Sequence, residues 1–282
     1  MAQHPTDSAQ VPLAGKQRES TLPPLRDILV KGVLPLVILL VLWQVIVMVA
    51  SRNTAHPIGL DGVVNSFIEL LVKGDTDGHT LIEHTGMSLY RVILGFSVAA
   101  LTAIPLGIAV GRYKLVDQIL GPVVEATRPI PPIAWIPISI LIFQASFIGA
   151  QVFIIWIGAF FPILINTTAG VKRTDPVHLD VACTFGASES QMLRKIILPS
   201  AAPEIFAGLR IGFGIGWMCL VAAEMIGGGL GLGYLVIITE QLGLIGQTIS
   251  AMLVIGVIGF LFSYLFLRAE HNLLRYRQEI SV

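Results

Sequence analysis

Long stretches without a charged side chain constrain this chain more than any other feature of its sequence. Residues 33–50 read VLPLVILLVLWQVIVMVA, close to the roughly 20 residues that a helix needs to cross a bilayer. Of the 282 residues 54% are hydrophobic and only 13% are charged, whereas soluble domains average about 25% charged residues. Because one soluble core cannot bury so much apolar surface, we predict an all-α integral membrane protein.

Six transmembrane helices are predicted, at residues 33–50, 89–110, 116–147, 151–171, 203–227 and 244–267. The third is interrupted by the sequence RPIPP at 128–132. Residues 1–26 are polar and contain several prolines, which predicts a flexible leader, and 27–282 form the transmembrane domain. Apolar residues recur at helical spacing over 63–71 and predict a short amphipathic helix between the first two spans.

The distribution of basic residues predicts the orientation. An even number of spans places both termini on one side, which then carries thirteen lysines and arginines, whereas the opposite loops carry Arg52 and Lys73. Cytoplasmic loops are enriched in Lys and Arg. We therefore expect a multi-pass membrane protein with both termini and the 172–199 segment in the cytoplasm.

The segment between the fourth and fifth spans, DVACTFGASESQMLRKIILP at 180–199, is more strongly patterned than a connection requires. We predict a helix, a break at Gly186, and a second helix that is capped by Ser188 or Ser190 and ends before Pro199. Ala182 and Gly186 are small, so a partner surface could approach closely. The simpler alternative is an ordinary loop.

This pattern resembles the EAA loop of ABC-importer permeases, in which an acidic residue precedes two small residues, a glycine and an Ile-x-Leu-Pro sequence. Asp180 stands where Glu is usual, and Val181 where the first Ala is usual. The matching positions are Ala182, Gly186, Ile196, Leu198 and Pro199. The resemblance implies a type I ABC-importer permease fold whose cytoplasmic coupling helices dock into a groove of a separate ATPase.

Further motifs are similar to those of the nitrate, sulfonate, taurine and bicarbonate permeases. They are SLYR at 88–91, RPIPPIAWIP at 128–137, GAFFP at 158–162, NTTAGV at 166–171, GLRIG at 208–212, and Trp217 followed by VAAE at 221–224. This resemblance covers about 85–270 and implies a small anionic substrate, an external binding protein that delivers it, and pairing with a second copy. It also implies that ATP and magnesium bind to the ATPase and that this chain itself binds no cofactor.

Arg128, Glu224 and Trp217 are candidates for the translocation path. Arg128 lies about 12 residues into the third span, roughly 16–18 Å deep at 1.5 Å per residue. A guanidinium at membrane depth is expensive and is typical of an anion contact. Alternatively, it pairs with Glu125 and clamps the helix break. Glu224 likewise has two interpretations: it contacts the substrate or a gate, or it is a partner in a buried network.

Two groups of glycines predict different features. Gly208, Gly212 and Gly216 form consecutive GxxxG steps, which favour close helix packing in lipid. The glycine-rich segment 227–233 superficially resembles a phosphate-binding loop, but no Gly-Lys-Ser/Thr follows it, so we predict no nucleotide site there.

Other classes of function find less support in the sequence. The histidines are scattered, no metal-ligand spacing or catalytic arrangement is recognisable, and the formal net charge is zero, so neither metal nor nucleic-acid binding is expected. A secondary transporter or channel would leave the 180–199 pattern unexplained. A membrane-embedded enzyme would need more clustered polar residues within the spans.

Overall fold

The structure is a computed structural model that describes residues 59–144 and 146–273, together with the isolated helical residues Ile38, Val41, Leu42, Gln44 and Val45. Regular elements in the two ranges are helical. They are α1 (Leu60–Val72), α2 (Leu81–Arg112), α3 (Lys114–Thr127), α4 (Ile136–Ile142), α5 (Phe147–Lys172), α6 (Pro176–Thr184), α7 (Glu189–Met192), α8 (Leu198–Ile226), α9 (Leu232–Gln241) and α10 (Ile245–Leu273). The leader predicted at 1–26 and most of the span predicted at 33–50 lie outside the described residues.

Four long apolar helices within the described ranges confirm the membrane prediction. They are Leu81–Arg112, Phe147–Lys172, Glu189–Ile226 and Ile245–Glu270, and each is long and apolar enough to cross a bilayer. They correspond to the predicted second, fourth, fifth and sixth spans. The second begins eight residues earlier than predicted, because Thr80 and Glu83 form a capping box at its start.

The third predicted span is wrong as a continuous helix. The predicted range 116–147 overlaps α3 and α4, of 14 and 7 residues, which are separated by a segment that includes a 3₁₀ turn at Pro132–Trp135. Pro129, Pro131 and Pro132 have no backbone N–H, and a proline disfavours the helical conformation of the residue before it. The break at 128–132 was predicted, but it divides the span into two helices that are each too short to cross a membrane.

Small residues bring α2 and α8 close to α5. The Gly208–Gly212–Gly216 stripe of α8 faces α5: a Cβ atom added at Gly212 would lie 2.9 Å from the Ala159 carbonyl oxygen, and one at Gly208 would lie 2.8 Å from Asn166 Cβ. On α2, Gly95 and Gly107 approach α5 as closely. Any larger side chain at these positions would force the helices apart.

The predicted amphipathic helix is α1, and it packs along α10. Leu70 and Val63 are buried, whereas Val64 on another side is exposed. Ser250 Oγ of α10 donates to the Val63 carbonyl oxygen at 3.1 Å. The apolar side of α1 is therefore covered by a span.

Candidate functional site

The break at Gly186 closes α6 with a regular pattern of hydrogen bonds. Gly186 has φ +73°, its N–H donates to the Cys183 carbonyl at 3.0 Å, and the Ala187 N–H donates to the Ala182 carbonyl at 2.9 Å. This is the glycine-terminated helix end in which a left-handed residue satisfies the last carbonyls. The predicted break is confirmed. Glycine is needed at position 186 because the backbone adopts a positive φ there, and not because a side chain would lack space.

The second helix of the segment starts where it was predicted to start, but it does not end where it was predicted to end. Ser188 caps α7, with its N–H donating to Gln191 Oε1 at 2.8 Å. The predicted end before Pro199 is wrong, because a π-helical turn at Leu193–Ile197 leads directly into α8. The wider turn, in which the Leu198 N–H donates to the Leu193 carbonyl, accommodates a proline ring that a regular helix interior would not.

Exposed apolar side chains follow one side of α6. Val177, Val181 and Phe185 are spaced four residues apart and are exposed, Phe185 by 86%. Two hollows lie beside them, of about 570 and 310 Å³, and Lys195 and Ile196 line both. The larger is also lined by Ala182 and Pro199, and Asp180 is exposed nearby along the chain. We call residues 176–199 the docking segment, because grouped exposed apolar side chains are typical of a protein-binding surface.

A buried ion pair lies at the other end of α8. Arg91 Nη1 is 2.7 Å from Glu224 Oε1, and the two side chains are 5% and 0% exposed. Ser88 Oγ is 2.9 Å from each carboxylate oxygen, the Gly233 N–H donates to Glu224 Oε2 at 2.9 Å, and Arg91 donates to the Leu230 carbonyl. The two opposite charges therefore compensate each other out of water, while Arg91 Nε is buried without a hydrogen-bond partner among the described residues.

The same network continues to a turn before α2. His84 Nε2 is 3.0 Å from Asp75 Oδ2, and its Nδ1 is 3.0 Å from both the N and O atoms of Gly231. Tyr234 stacks on the His84 ring and donates to Asp77 Oδ2 at 3.1 Å. Burial raises the pKa of Tyr234, and the hydrogen bond to Asp77 raises it further. In the described part of the chain, no three His, Cys, Asp or Glu side chains converge on a metal position.

The structure places Glu224 in a network that holds the glycine-rich residues 227–233. A Cβ atom at Gly231 would collide with the Glu224 carboxylate, so the loop can lie this close only because it carries no side chain there. Sequence reasoning quoted Arg91 and Glu224 in separate motifs and did not pair them. The available signal was that opposite charges lie inside two apolar spans, where charged residues rarely remain unpaired.

The side chain of Trp217, a residue of α8, packs against α10. It is 5% exposed, its Nε1–H donates to the Ile255 carbonyl oxygen at 3.2 Å, and its indole approaches the position of a Cβ at Gly259 to 3.4 Å. It therefore contributes to helix packing within one chain.

Arg128 lines a cavity of about 240 Å³ beside the broken helix. Apolar residues and prolines form the rest of the lining: Ile130, Pro132, Ile157, Gly158, Phe161, Pro162, Ile165 and Ile215. Five of these lie near the middle of α5, so the cavity lies deep in the membrane. Arg128 Nη1 is 3.6 Å from Glu125 Oε1, but both side chains are more than half exposed, so the pairing leaves the guanidinium accessible.

Residues 103–275 match the family model of the binding-protein-dependent transport system inner membrane component. The chain belongs to this family. It is 35% identical to a nitrate import permease protein of Synechocystis sp., over 82% of this chain and 84% of the relative. It is 36% identical to the taurine transport system permease protein of Escherichia coli, over 80% of this chain and 82% of the relative.

The fold is that of a type I ABC-importer permease. A methionine ABC transporter in an inward-facing conformation superposes with a TM-score of 0.57 at 20% identity, covering 70% of this chain and 95% of that chain. The chain is therefore a membrane-embedded transport subunit of the ABC-importer permease family.

Proposed function

We propose that the chain moves a small anion such as nitrate, a sulfonate, taurine or bicarbonate across a prokaryotic inner membrane, driven by ATP that a separate subunit hydrolyses. The observation that carries this proposal is the docking segment: two short helices broken at Gly186, with an exposed apolar side, continuous with a span. The sequence contains no Gly-x₄-Gly-Lys-Ser/Thr motif, and the proposal accordingly assigns the nucleotide to a partner subunit.

The connection from the docking segment into the membrane supports an ATP-coupled mechanism. From Glu189 onward the chain is helical without a gap to Ile226, so a displacement of the segment moves α8 with it. Arg112 at the end of α2 also lies 3.8 Å from Glu189 in the first turn of α7. An ATPase that closes on ATP would thereby move the spans as rigid bodies and switch access between the two faces.

The identity of the cargo is supported by the relatives and by Arg128. Relatives of this chain are named as nitrate and taurine permeases, and the Arg128 cavity presents a planar cation suited to an oxyanion. An external binding protein would deliver the anion at the end that holds residues 227–233. The proposal includes cytoplasmic termini, with ATP and magnesium on the partner ATPase alone.

Gly186→Val tests the coupling. A non-glycine residue with positive φ costs roughly 1–2 kcal/mol, and a β-branched one costs more, so the two helices should lose their relative orientation. We expect normal membrane insertion but ATP hydrolysis that no longer drives uptake, measured with the permease, its ATPase and its binding protein in proteoliposomes.

Gly78→Val is the matched control. Gly78 has φ +85°, and a Cβ at either glycine meets no atom of the described residues within 4 Å, so the backbone strain is comparable. Gly78 lies in the turn before α2, away from the docking segment, and its variant should keep coupled uptake. Normal uptake by Gly186→Val would contradict the docking role, and uptake without any ATPase would instead indicate a secondary transporter or channel.

A further inference from the structure

A buried histidine at the start of α2 connects two external segments of the chain, the turn at 73–80 and the loop at 227–233. His84 is fully buried, and the side chain of its partner Asp75 is 1% exposed. The His84 Nε2 atom lies 3.0 Å from Asp75 Oδ2, and its Nδ1 atom lies 3.0 Å from both the N and the O atoms of Gly231. The two ring nitrogens therefore join the turn to the loop.

The Asp75 carboxylate determines which tautomer the neutral imidazole adopts. An ionised carboxylate only accepts hydrogen bonds, so the Nε2 atom carries the hydrogen and donates it. The other carboxylate oxygen accepts from the backbone N–H groups of Asp77 and His79, at 3.0 and 2.8 Å, and these bonds fix the carboxylate in place. The Nδ1 atom of His84 then has a lone pair, which accepts from the Gly231 N–H.

Protonation of the imidazole reverses the contact with Gly231. An imidazolium donates from both nitrogens, so its Nδ1–H donates to the Gly231 carbonyl oxygen, which lies at the same distance of 3.0 Å. The N–H of this buried residue then loses its acceptor, and a buried backbone N–H without a partner is costly. The loop must therefore move to satisfy that N–H, and a glycine changes its backbone conformation more readily than any other residue.

The other charged or titratable side chains around the ring have partners of their own. They come from the turn, α2, α8 and α9, and they form the pairs His79–Glu83, Arg91–Glu224 and Tyr234–Asp77. In the described part of the chain, Asp75 is the charged side chain that binds the His84 ring directly. Imidazoles change charge between about pH 5 and 8, and His84 is the imidazole that binds Gly231.

We propose that His84 is a pH-sensitive switch for the loop at 227–233 and that Asp75 sets its tautomer. The neutral imidazole holds the loop through the Gly231 N–H, and a proton taken up from water breaks that bond and shifts the loop. The loop follows α8, which is helical without a gap from Glu189 in the docking segment. Acidity at this end of the molecule therefore biases the helix that leads to the docking segment. The switch goes beyond the proposed function, because it depends on neither the cargo nor ATP.

A spin label on the loop tests the switch in the full-length, detergent-purified permease. Gly229 is a suitable position, because it is exposed and a Cβ atom there meets no atom of the described residues within 4 Å. Cys183→Ser and Cys219→Ala remove the cysteines of the sequence, and Gly229→Cys carries the label. Between about pH 8 and pH 5, we expect a reversible shift of the spectrum towards greater mobility. A label at Leu242→Cys, in the turn after α9 and 51% exposed, should show no shift.

Asp75→Asn distinguishes the switch from a bond that is merely structural. Asn keeps an oxygen for the two backbone N–H groups but presents its amide NH₂ group to His84 Nε2, so the neutral imidazole must carry its hydrogen on Nδ1. The contact with Gly231 is then the one that an imidazolium makes. The label should therefore be as mobile in Asp75→Asn at about pH 8 as it is in the labelled parent at about pH 5.

Two histidine variants identify the titrating group. His84→Gln cannot titrate and should lose the shift, whereas His79→Gln is the matched control and should keep it, because the backbone N–H of residue 79 still binds Asp75. A spectrum of the labelled parent that does not change with pH would overturn the proposal. A shift that persists in His84→Gln, disappears in His79→Gln or is unaltered in Asp75→Asn would overturn it too. Each variant is first checked for a monodisperse peak on gel filtration, and Asp75→Asn decides if His84→Gln does not fold.

Discussion

Replacing Glu224 by Gln should destabilise the chain strongly, although the two side chains have nearly the same shape. The amide oxygen of Gln can still accept from Ser88 and the Gly233 N–H, which now bind the carboxylate. What the substitution removes is the negative charge 2.7 Å from Arg91, at a site where the arginine is 5% exposed. The guanidinium then remains buried without a counter-charge.

The expected cost is about 3–5 kcal/mol, the usual penalty for breaking one side of a buried ion pair. At about 2–4 °C per kcal/mol, the apparent melting temperature should fall by roughly 6–20 °C. Adding Arg91→Met removes the unpaired charge and leaves the Leu230 carbonyl without this donor, a cost of about 1–3 kcal/mol. The double variant should therefore be more stable than Glu224→Gln alone.

Thermal stability is measured on the detergent-purified permease, as the fraction of the protein that remains monodisperse after heating. Glu69→Gln is the matched control, because Glu69 pairs with Lys73 at 3.3 Å on the exposed side of a helix. Such a pair contributes only about 0.3–0.5 kcal/mol. Two results would refute this reasoning: Glu224→Gln melts at the same temperature as the wild type, or the double variant melts at a lower temperature than Glu224→Gln. Either result would mean that the Arg91–Glu224 pair does not determine the stability of the region around it.

Two further predictions concern orientation and cargo. A membrane-impermeant thiol reagent applied to intact cells should label Lys73→Cys, whose parent side chain is 76% exposed, and should spare Cys183 in the docking segment; the reverse pattern would invert the topology. Arg128→Lys should retain much of the anion uptake and Arg128→Gln little, at equal abundance of assembled complex, because the first keeps the positive charge. Unchanged uptake by Arg128→Gln would make the arginine a clamp of the helix break.

Features that depend on neighbours along the chain were predictable from the sequence. Hydropathy identified the four long spans of the described residues, because burial in lipid acts on each helix separately. The break at Gly186 followed from the preference of glycine for positive φ. The interruption at 128–132 followed from prolines without a backbone N–H.

Two local predictions failed because a second local effect intervened. Pro199 does not end the helix before it, since the π-helical turn at Leu193–Ile197 widens the backbone ahead of the ring. The span at 116–147 is two short helices, since three prolines in four positions interrupt more than one turn. Hydropathy alone does not register either effect.

Partnerships across the chain were decided only by tertiary structure. Arg91 and Glu224 are 133 positions apart, and a count of charges within spans does not say which pair meets. Their contact depends on three close approaches. Gly95 and Gly107 allow α2 to pack against α5, and the glycines of α8 allow α8 to pack against α5 as well. Gly231 allows the loop at 227–233 to lie beside the Glu224 carboxylate. Sequence periodicity determines which residues share a side of a helix, whereas the distance between helices determines which charges become partners, and only the packed bundle contains that distance.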